Sequence, residues 1–241
     1  MKINLVSCLF VLDTESSNNI RKNDNKKLKL LVKNNNTLPS INYDDGSGLK
    51  GFIKNYISSI INSDIFHLEQ VFALGDKKYF NDSIDIVFLS VTNIENINNL
   101  SSEYKLIDFS ISNNSLIKFG NNMYEYKTVE RFSDRNVDYV HNIYVDDVSI
   151  EKTLLEILVS YKRLRTMLDS SDIMFKFMPK EFTLEDVRIV YELVKDKQVD
   201  KSNFRKRIIK YVEKCNDKVD NKGYRPTQLY RFKPLVDDIW L

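Results

Sequence analysis

The sequence predicts an α+β protein in two parts, a strand-rich region over residues 1–147 and a helical region over residues 148–241 that closes with a hairpin. Three observations carry this. Apolar runs rich in β-branched and aromatic residues dominate the first part. After about residue 147 the apolar spacing changes to every three or four positions. Positive charge then concentrates near the C-terminus. From Lys197 to Lys233 twelve Lys or Arg stand against four Asp or Glu, a net +8 in a chain of total charge +2, so the other residues sum to −6. A length of 241 residues allows one large or two small domains; the change of texture favours two.

The elements follow in order. Ile3 to Leu12 has the composition of a buried strand; the opening "MKINLVSCLFVLD" lacks the charged start and small-residue cleavage pattern of a signal peptide. "LKLLVKN" from Leu28 gives a second strand, and "TLPSINYDDGSG", with one Pro and two Gly, reads as a loop. From Leu49, the residues Leu49, Phe52, Ile53, Tyr56, Ile57, Ile60 and Ile61 fall at helical spacing and predict an amphipathic helix. "HLEQVFALGD" and "DIVFLSVTN" are strands. Ser101 to Val140 reads as further strands turning at Asn113-Asn114 and Gly120-Asn121, with residues 101–140 a candidate insertion.

In the second part, Leu154, Leu155, Ile157, Leu158, Tyr161, Leu164 and Leu168 form a stripe on a linking helix. Interdomain core is expected there, with a dimer seam as the alternative, and the boundary is expected between Asp169 and Lys180. "FTLEDVRIVYELVKD" opens with the capping box Thr183 and Asp186 and places Leu184, Val187, Val190, Tyr191 and Val194 on one face. Next, "VDKSNFRKRIIKYVEK", Val199 to Lys214, reads as one helix. Asp200 is its N-cap, and Val199 staples onto Phe204. Phe204, Ile208, Tyr211, Val212 and Cys215 face inward; Ser202, Asn203, Lys206 and Lys210 face outward, flanked by Arg205 and Arg207, and Ile209 has no place in the pattern. "KVDNKGYRPTQLYRFKP" then forms a hairpin with Asn221, Lys222, Gly223 and Tyr224 at its tip and Arg225, Arg231 and Lys233 on the returning arm.

Helix, turn, basic helix and basic hairpin is the order of a winged helix-turn-helix, whose second helix enters the major groove while the hairpin reaches the backbone. On that basis Lys206 and Lys210 are expected to attract phosphates, Ser202, Asn203 and Arg205 to approach base edges, and Arg225 and Arg231 to anchor the wing. Lys201 and Lys222 complete the expected DNA-binding set.

Other chemistry has little to work with. Cys8 and Cys215 are far apart in sequence and are expected as reduced thiols in a soluble, cytoplasmic protein. His67 and His141 lie outside metal-ligand spacing. The sequence has no glycine-rich phosphate loop and no nucleophile elbow. No apolar run approaches the roughly 20 residues of a membrane helix.

"MPKEFTLEDVRIVYELVKDKQVDKSNFRKRIIKYVEK" and "GYRPTQLYRF", within Met178 to Phe232, resemble the C-terminal winged helix domain of the Nudix-related transcriptional regulators. More faintly, "LPSI" from Leu38 stands where that family has Leu-Pro-Gly-Gly, and "HLEQVFALGD" resembles its Leu-Glu-Gln strand. The resemblance implies an α/β/α Nudix-like sandwich for residues 1–147, followed by the linking helix and the winged domain. A catalytic Nudix helix needs Arg-Glu and then Glu-Glu to hold divalent metal. At those positions this chain has Asn55, Tyr56, Ser59 and Ile60. The expectation is therefore a DNA-binding regulator with an inactive Nudix-like sensor or dimerisation domain, without catalytic residues, metal or cofactor. The resemblance further implies a homodimer on a two-fold operator and an effector that is ADP-ribose, a related NAD metabolite or a sugar. The alternatives are an RNA- or protein-binding scaffold module, and a residual hydrolase using Asp44, Asp45, Asp64 or Glu69.

Overall fold

The computed structural model describes residues 2–13, 26–44, 46, 48–80, 82–113, 115–133, 136–220 and 227–233. Strand β1 (Lys2–Asp13) is the spine of the first part: from Leu5 onward every residue is buried, as in a strand covered on both faces. It runs parallel to β5 (Ser83–Asn93), from Lys2↔Ser83 to Leu12↔Asn93. It is antiparallel to β2 (Lys27–Lys33) near Phe10 and to the short β3 (Ser40–Asn42) near Leu5. Strand β3 lies inside the Pro- and Gly-containing segment that reads as a loop; pairing with β1 gives it an extended form its own composition does not announce.

The sheet continues outward through β4 (His67–Leu74) beside β5 and through β6 (Tyr104–Ile111), β7 (Leu116–Phe119), β8 (Asn122–Ser133) and β9 (Asn136–Ile143) beyond β2. Residues 101–140, a candidate insertion by sequence, thus extend the main sheet, with β6 paired to β2 from Lys29↔Asp108 to Lys33↔Tyr104.

Alternate side chains of β1 serve two helical layers, because successive residues of a strand point to opposite faces. Leu5, Leu9 and Val11 pack with Ile53, Ile57, Ile60 and Ile61 of helix α1 (Leu49–Ile61). Val6, Cys8, Phe10 and Leu12 pack with Leu154, Ile157, Leu158, Tyr161, Leu164 and Leu168 of helix α2 (Val148–Ser170). The stripe on α2 is therefore core. The helix that reads as a linker is the second helical layer of the sandwich, and its C-terminal half also meets the next domain.

That domain contains a 3-10 turn at Ile173–Phe177, helix α3 (Leu184–Lys195), helix α4 (Lys201–Ile208) and the hairpin β10 (Val212–Asp220) and β11 (Thr227–Phe232). The α3 capping box forms as expected: Asp186 N–H donates to Thr183 Oγ1 at 3.1 Å and Thr183 N–H to Asp186 Oδ2 at 2.8 Å. Asp200 caps α4, accepting from Asn203 N–H at 2.8 Å.

The single helix expected over Val199 to Lys214 is corrected. It ends at Ile208, passes through a 3-10 turn at Ile209–Tyr211 and becomes strand at Val212. Ile209, Tyr211 and Val212 are β-branched or aromatic and favour extended backbone. Pairing decides the outcome: Val212↔Phe232, Glu213↔Arg231 and Lys214↔Tyr230 are in register, and Lys233 N–H donates to the Tyr211 carbonyl at 2.8 Å. Val212 and Cys215 are buried from a strand, and Ile209, beyond the helix end, is 39% exposed.

The two domains share one apolar cluster that runs from the sheet through α2 into Val187, Val190, Phe204, Ile208 and Tyr230. Polar contacts add to it. Tyr161 hydroxyl donates to the Val194 carbonyl at 2.8 Å, Asn93 Nδ2 to the Phe177 carbonyl at 2.9 Å, and Asn113 N–H to Asp196 Oδ2 at 2.9 Å. Lys26 pairs with Asp186. No helix is long and apolar enough to cross a membrane among the described residues. Cys8 and Cys215 are buried free thiols.

Candidate nucleic-acid interface

Helix α4 buries Phe204 and Ile208 and exposes Lys201, Ser202, Asn203, Arg205, Lys206 and Arg207. Two apolar residues four apart fix which face is inward, so the polar set is held outward. Ser202 and Asn203 lie in the first turn. Among the described residues, the side chains of Arg205 and Lys206 have no hydrogen-bond or ion-pair partner, so both charges are available to an outside anion. Lys201 is 73% exposed and lies 3.5 Å from Glu185, a surface pair worth little. Lys210, in the 3-10 turn, is exposed with its Nζ 4.6 Å from the centre of the Tyr211 ring.

Arg207 differs from its neighbours. Its guanidinium stacks 4.6 Å from the Tyr191 ring centre, donates to the Leu168 carbonyl at 3.3 Å and lies 3.6 Å from Asp169. It fastens α4 to α2 and α3, a role its sequence neighbourhood does not announce because both partners are distant in the chain. Arg231 on β11 donates to Glu181 Oε1 at 2.7 Å, tying the wing base to the residue before Phe182. Phe182 and Tyr230 exchange backbone hydrogen bonds at 3.0 and 2.8 Å, adding a bridge to the wing sheet. Phe175 and Phe232 stack at 4.8 Å beneath it. The hairpin tip, with Lys222 and Arg225, lies outside the described residues.

In the sandwich, the four positions aligned with a catalytic Nudix helix carry other tasks. Tyr56 hydroxyl donates to the Ser40 carbonyl at 3.0 Å and meets Tyr104 hydroxyl at 2.7 Å; burial, then the Tyr104 contact, pushes its phenol up. Ser59 Oγ donates to the Tyr56 carbonyl, Ile60 is core and Asn55 is exposed. Among the described residues no three His, Cys, Asp or Glu side chains gather as metal ligands. Of the acids weighed as unorthodox ligands, Asp64 accepts from Ser58 Oγ at 2.5 Å and Glu69 from Arg163 Nη2 at 2.8 Å; Asp45 lies outside the described residues.

One acid is strongly perturbed. Glu156 on α2 is buried, with Oε1 3.0 Å from Lys152 Nζ, while Lys152 also pairs with buried Asp85. Burial first, and then the hydrogen-bonded neighbour Asp85, push the Glu156 carboxyl up to about 8 against the opposing attraction of Lys152. Through Lys152 and Asp85 it belongs to the packing of α2 on β5.

The comparisons with known proteins agree with this geometry. Residues 174–232 match the model of the NrtR DNA-binding winged helix domain. No curated protein matches the chain. Among solved structures, a MutT/nudix family protein from Enterococcus faecalis superposes with a TM-score of 0.65 at 13% identity, covering 97% of this chain and 88% of that one. Shewanella oneidensis NrtR gives 0.65 at 15% identity over 96% and 94% of the two chains. The same protein complexed with a 27mer DNA gives 0.61 at 15% identity over 96% and 93%. At these identities the superpositions establish the fold, and the domain match establishes the C-terminal unit. The chain thus carries an NrtR DNA-binding winged helix domain at residues 174–232, behind a sandwich that shares its fold with MutT/nudix family proteins.

Proposed function

We propose that the protein binds duplex DNA in a sequence-specific manner, through α4 and the wing, and that its Nudix-like domain does not hydrolyse. The observation that carries the first half is the free, outward basic face of α4, with Arg205 and Lys206 unpartnered among the described residues of a domain matching a DNA-binding model. Lys206 and Lys210 attract phosphates, Ser202, Asn203 and Arg205 approach base edges, and Lys201 adds charge at the helix start. Arg231 holds the wing by way of Glu181. The second half rests on Asn55, Tyr56, Ser59 and Ile60, which offer no carboxylate where metal-dependent hydrolysis requires several.

The domain order supports a sensor or dimerisation role for the sandwich: a homodimer on a two-fold operator, in the cytoplasm, whose DNA affinity responds to an effector such as ADP-ribose, a related NAD metabolite or a sugar. An effector acts only by favouring one arrangement of the winged domains over another. The test is anisotropy binding to a library of duplex fragments at about 150 mM salt, with and without ADP-ribose. A few fragments bound far above the rest are expected; uniform weak binding removes the sequence-specific reading. Hydrolysis of nucleoside-diphosphate substrates with Mg or Mn is expected to be absent, and turnover abolished by Asp64→Asn or Glu69→Gln would revive the hydrolase.

A further inference from the structure

Between the β8–β9 hairpin and α2 lies a cluster of nitrogen-bearing side chains in which, among the described residues, no acid pairs with the lysine or the histidine. Thr128 on β8 faces His141 on β9 across the ladder. Lys162 of α2 reaches into this pair: its Nζ donates to Thr128 Oγ1 at 2.8 Å, lies 3.4 Å from His141 Nδ1 and sits 5.6 Å from the centre of the Tyr126 ring. One turn on, Arg165 donates to Asn113 Oδ1 at 2.8 Å and to the Lys195 carbonyl. His141, Lys162 and Arg165 are all partly buried.

Several partly buried lysines hold an aspartate, as Lys26, Lys29, Lys152 and Lys195 do, while Lys33 donates to the Ser40 carbonyl and hydroxyl and Lys105 to the Asn34 carbonyl. Lys162 has no aspartate among the described residues; its pKa is lowered by burial first and by the Arg165 charge second. An ammonium has only protons to give, so His141 accepts at Nδ1 and carries its own proton at Nε2. Burial, then Lys162, push that imidazole down to about 4. A partly desolvated charge without its counter-charge is costly, and adding an oxyanion supplies that charge and accepts the spare donors. On the same face of β8, Glu130 lies two positions along the ladder and is exposed; on the Arg165 side, Asp196 accepts from Asn113 N–H at 2.9 Å.

We propose that His141, Lys162 and Arg165 form a binding site for a small phosphoryl anion. The site stands on its own geometry. Only its consequence rests on the regulator reading: Arg165 also ties the β6–β7 turn to the end of α3, so an anion drawing on that guanidinium bears on how the winged domain is held.

The chain has two histidines, which gives a direct probe. Inorganic phosphate is titrated into the full-length protein at constant ionic strength and near-neutral pH, and the two imidazole carbon-bound proton resonances are followed by NMR. The His141 resonance is expected to move saturably while that of His67 stays, and Lys162→Met removes the movement. Under saturating phosphate the His141 titration midpoint rises from its low value. An immobile or only linearly drifting His141 signal, or equal movement of both histidines, overturns the site, and this arm needs no variant. Movement that persists in a folded Lys162→Met protein overturns it too; if that variant does not fold, Lys162→Gln takes its place. A parallel arm uses duplex DNA: a shift produced by duplex but not by phosphate assigns the cluster to the DNA surface and ends the small-anion proposal. Failure of all DNA binding leaves the phosphate result intact, so the two readings fail separately.

Discussion

The basic residues of α4 divide by what holds them. Arg207 spends its guanidinium on Tyr191, Leu168 and Asp169, whereas Lys206 has no such partner among the described residues. Lys206→Ala is therefore expected to weaken binding to all duplexes alike and to reduce the slope of log affinity against log salt by about 1, measured by anisotropy. An unchanged slope removes its phosphate contact. The outward set Ser202, Asn203, Arg205 and Lys206 is legible in the sequence, since Phe204 and Ile208 define the opposite face. The anchoring of Arg207 and the Arg231–Glu181 pair are not, because partners 38 and 50 residues away leave no local signal. Glu156 is equally silent: its raised carboxyl comes first from burial and then from Asp85, and the burial and the partner are both set by packing against another element. Its raised carboxyl pKa means that the folded state holds a proton the unfolded chain releases near 4.5. The stability it contributes is complete below that value and is lost as pH rises through about 8. Urea denaturation from about pH 6 to about pH 9 is expected to show a decline that Glu156→Gln flattens; parallel curves would contradict the assignment.

Among the elements, those whose periodicity matched their environment were legible. The buried run of β1, the apolar face of α1 and the capping box of α3 each specify one conformation locally. Strand β3 and the end of α4 were not, because tertiary pairing decides them: β1 captures Ser40–Asn42, and β11 captures Val212. With only eight residues, α4 is too short to persist without its cap and its two buried side chains. Asp200→Ala removes the acceptor for Asn203 N–H and is expected to cost about 1 kcal/mol in denaturant unfolding. A loss of DNA affinity larger than that unfolding predicts would give Asp200 a direct place at the interface.

At the scale of the molecule, the order of a strand-rich part followed by a basic winged part was written in composition and charge. The place of α2 was not: its apolar stripe fits a linker, a dimer seam or a sheet layer equally well, and only the sheet it covers distinguishes them. Because one apolar cluster passes from β1 through α2 into α3 and α4, the domains are expected to unfold together. Far-UV circular dichroism and loss of DNA binding should share one midpoint, and two separated transitions would contradict that continuity. Leu158→Ala, at 0% exposure within this cluster, is expected to cost about 2–5 kcal/mol and to shift both probes equally.

In the function proposed above, α4 reads duplex DNA by sequence. The most direct measurement of that function is competition for the best-bound genomic duplex by a scrambled duplex of equal length and composition and by a structured RNA, at about 150 mM salt. Neither competitor is expected to displace the duplex at concentrations where the unlabelled duplex does. Equal displacement by all three would make α4 a general polyanion surface and contradict that function.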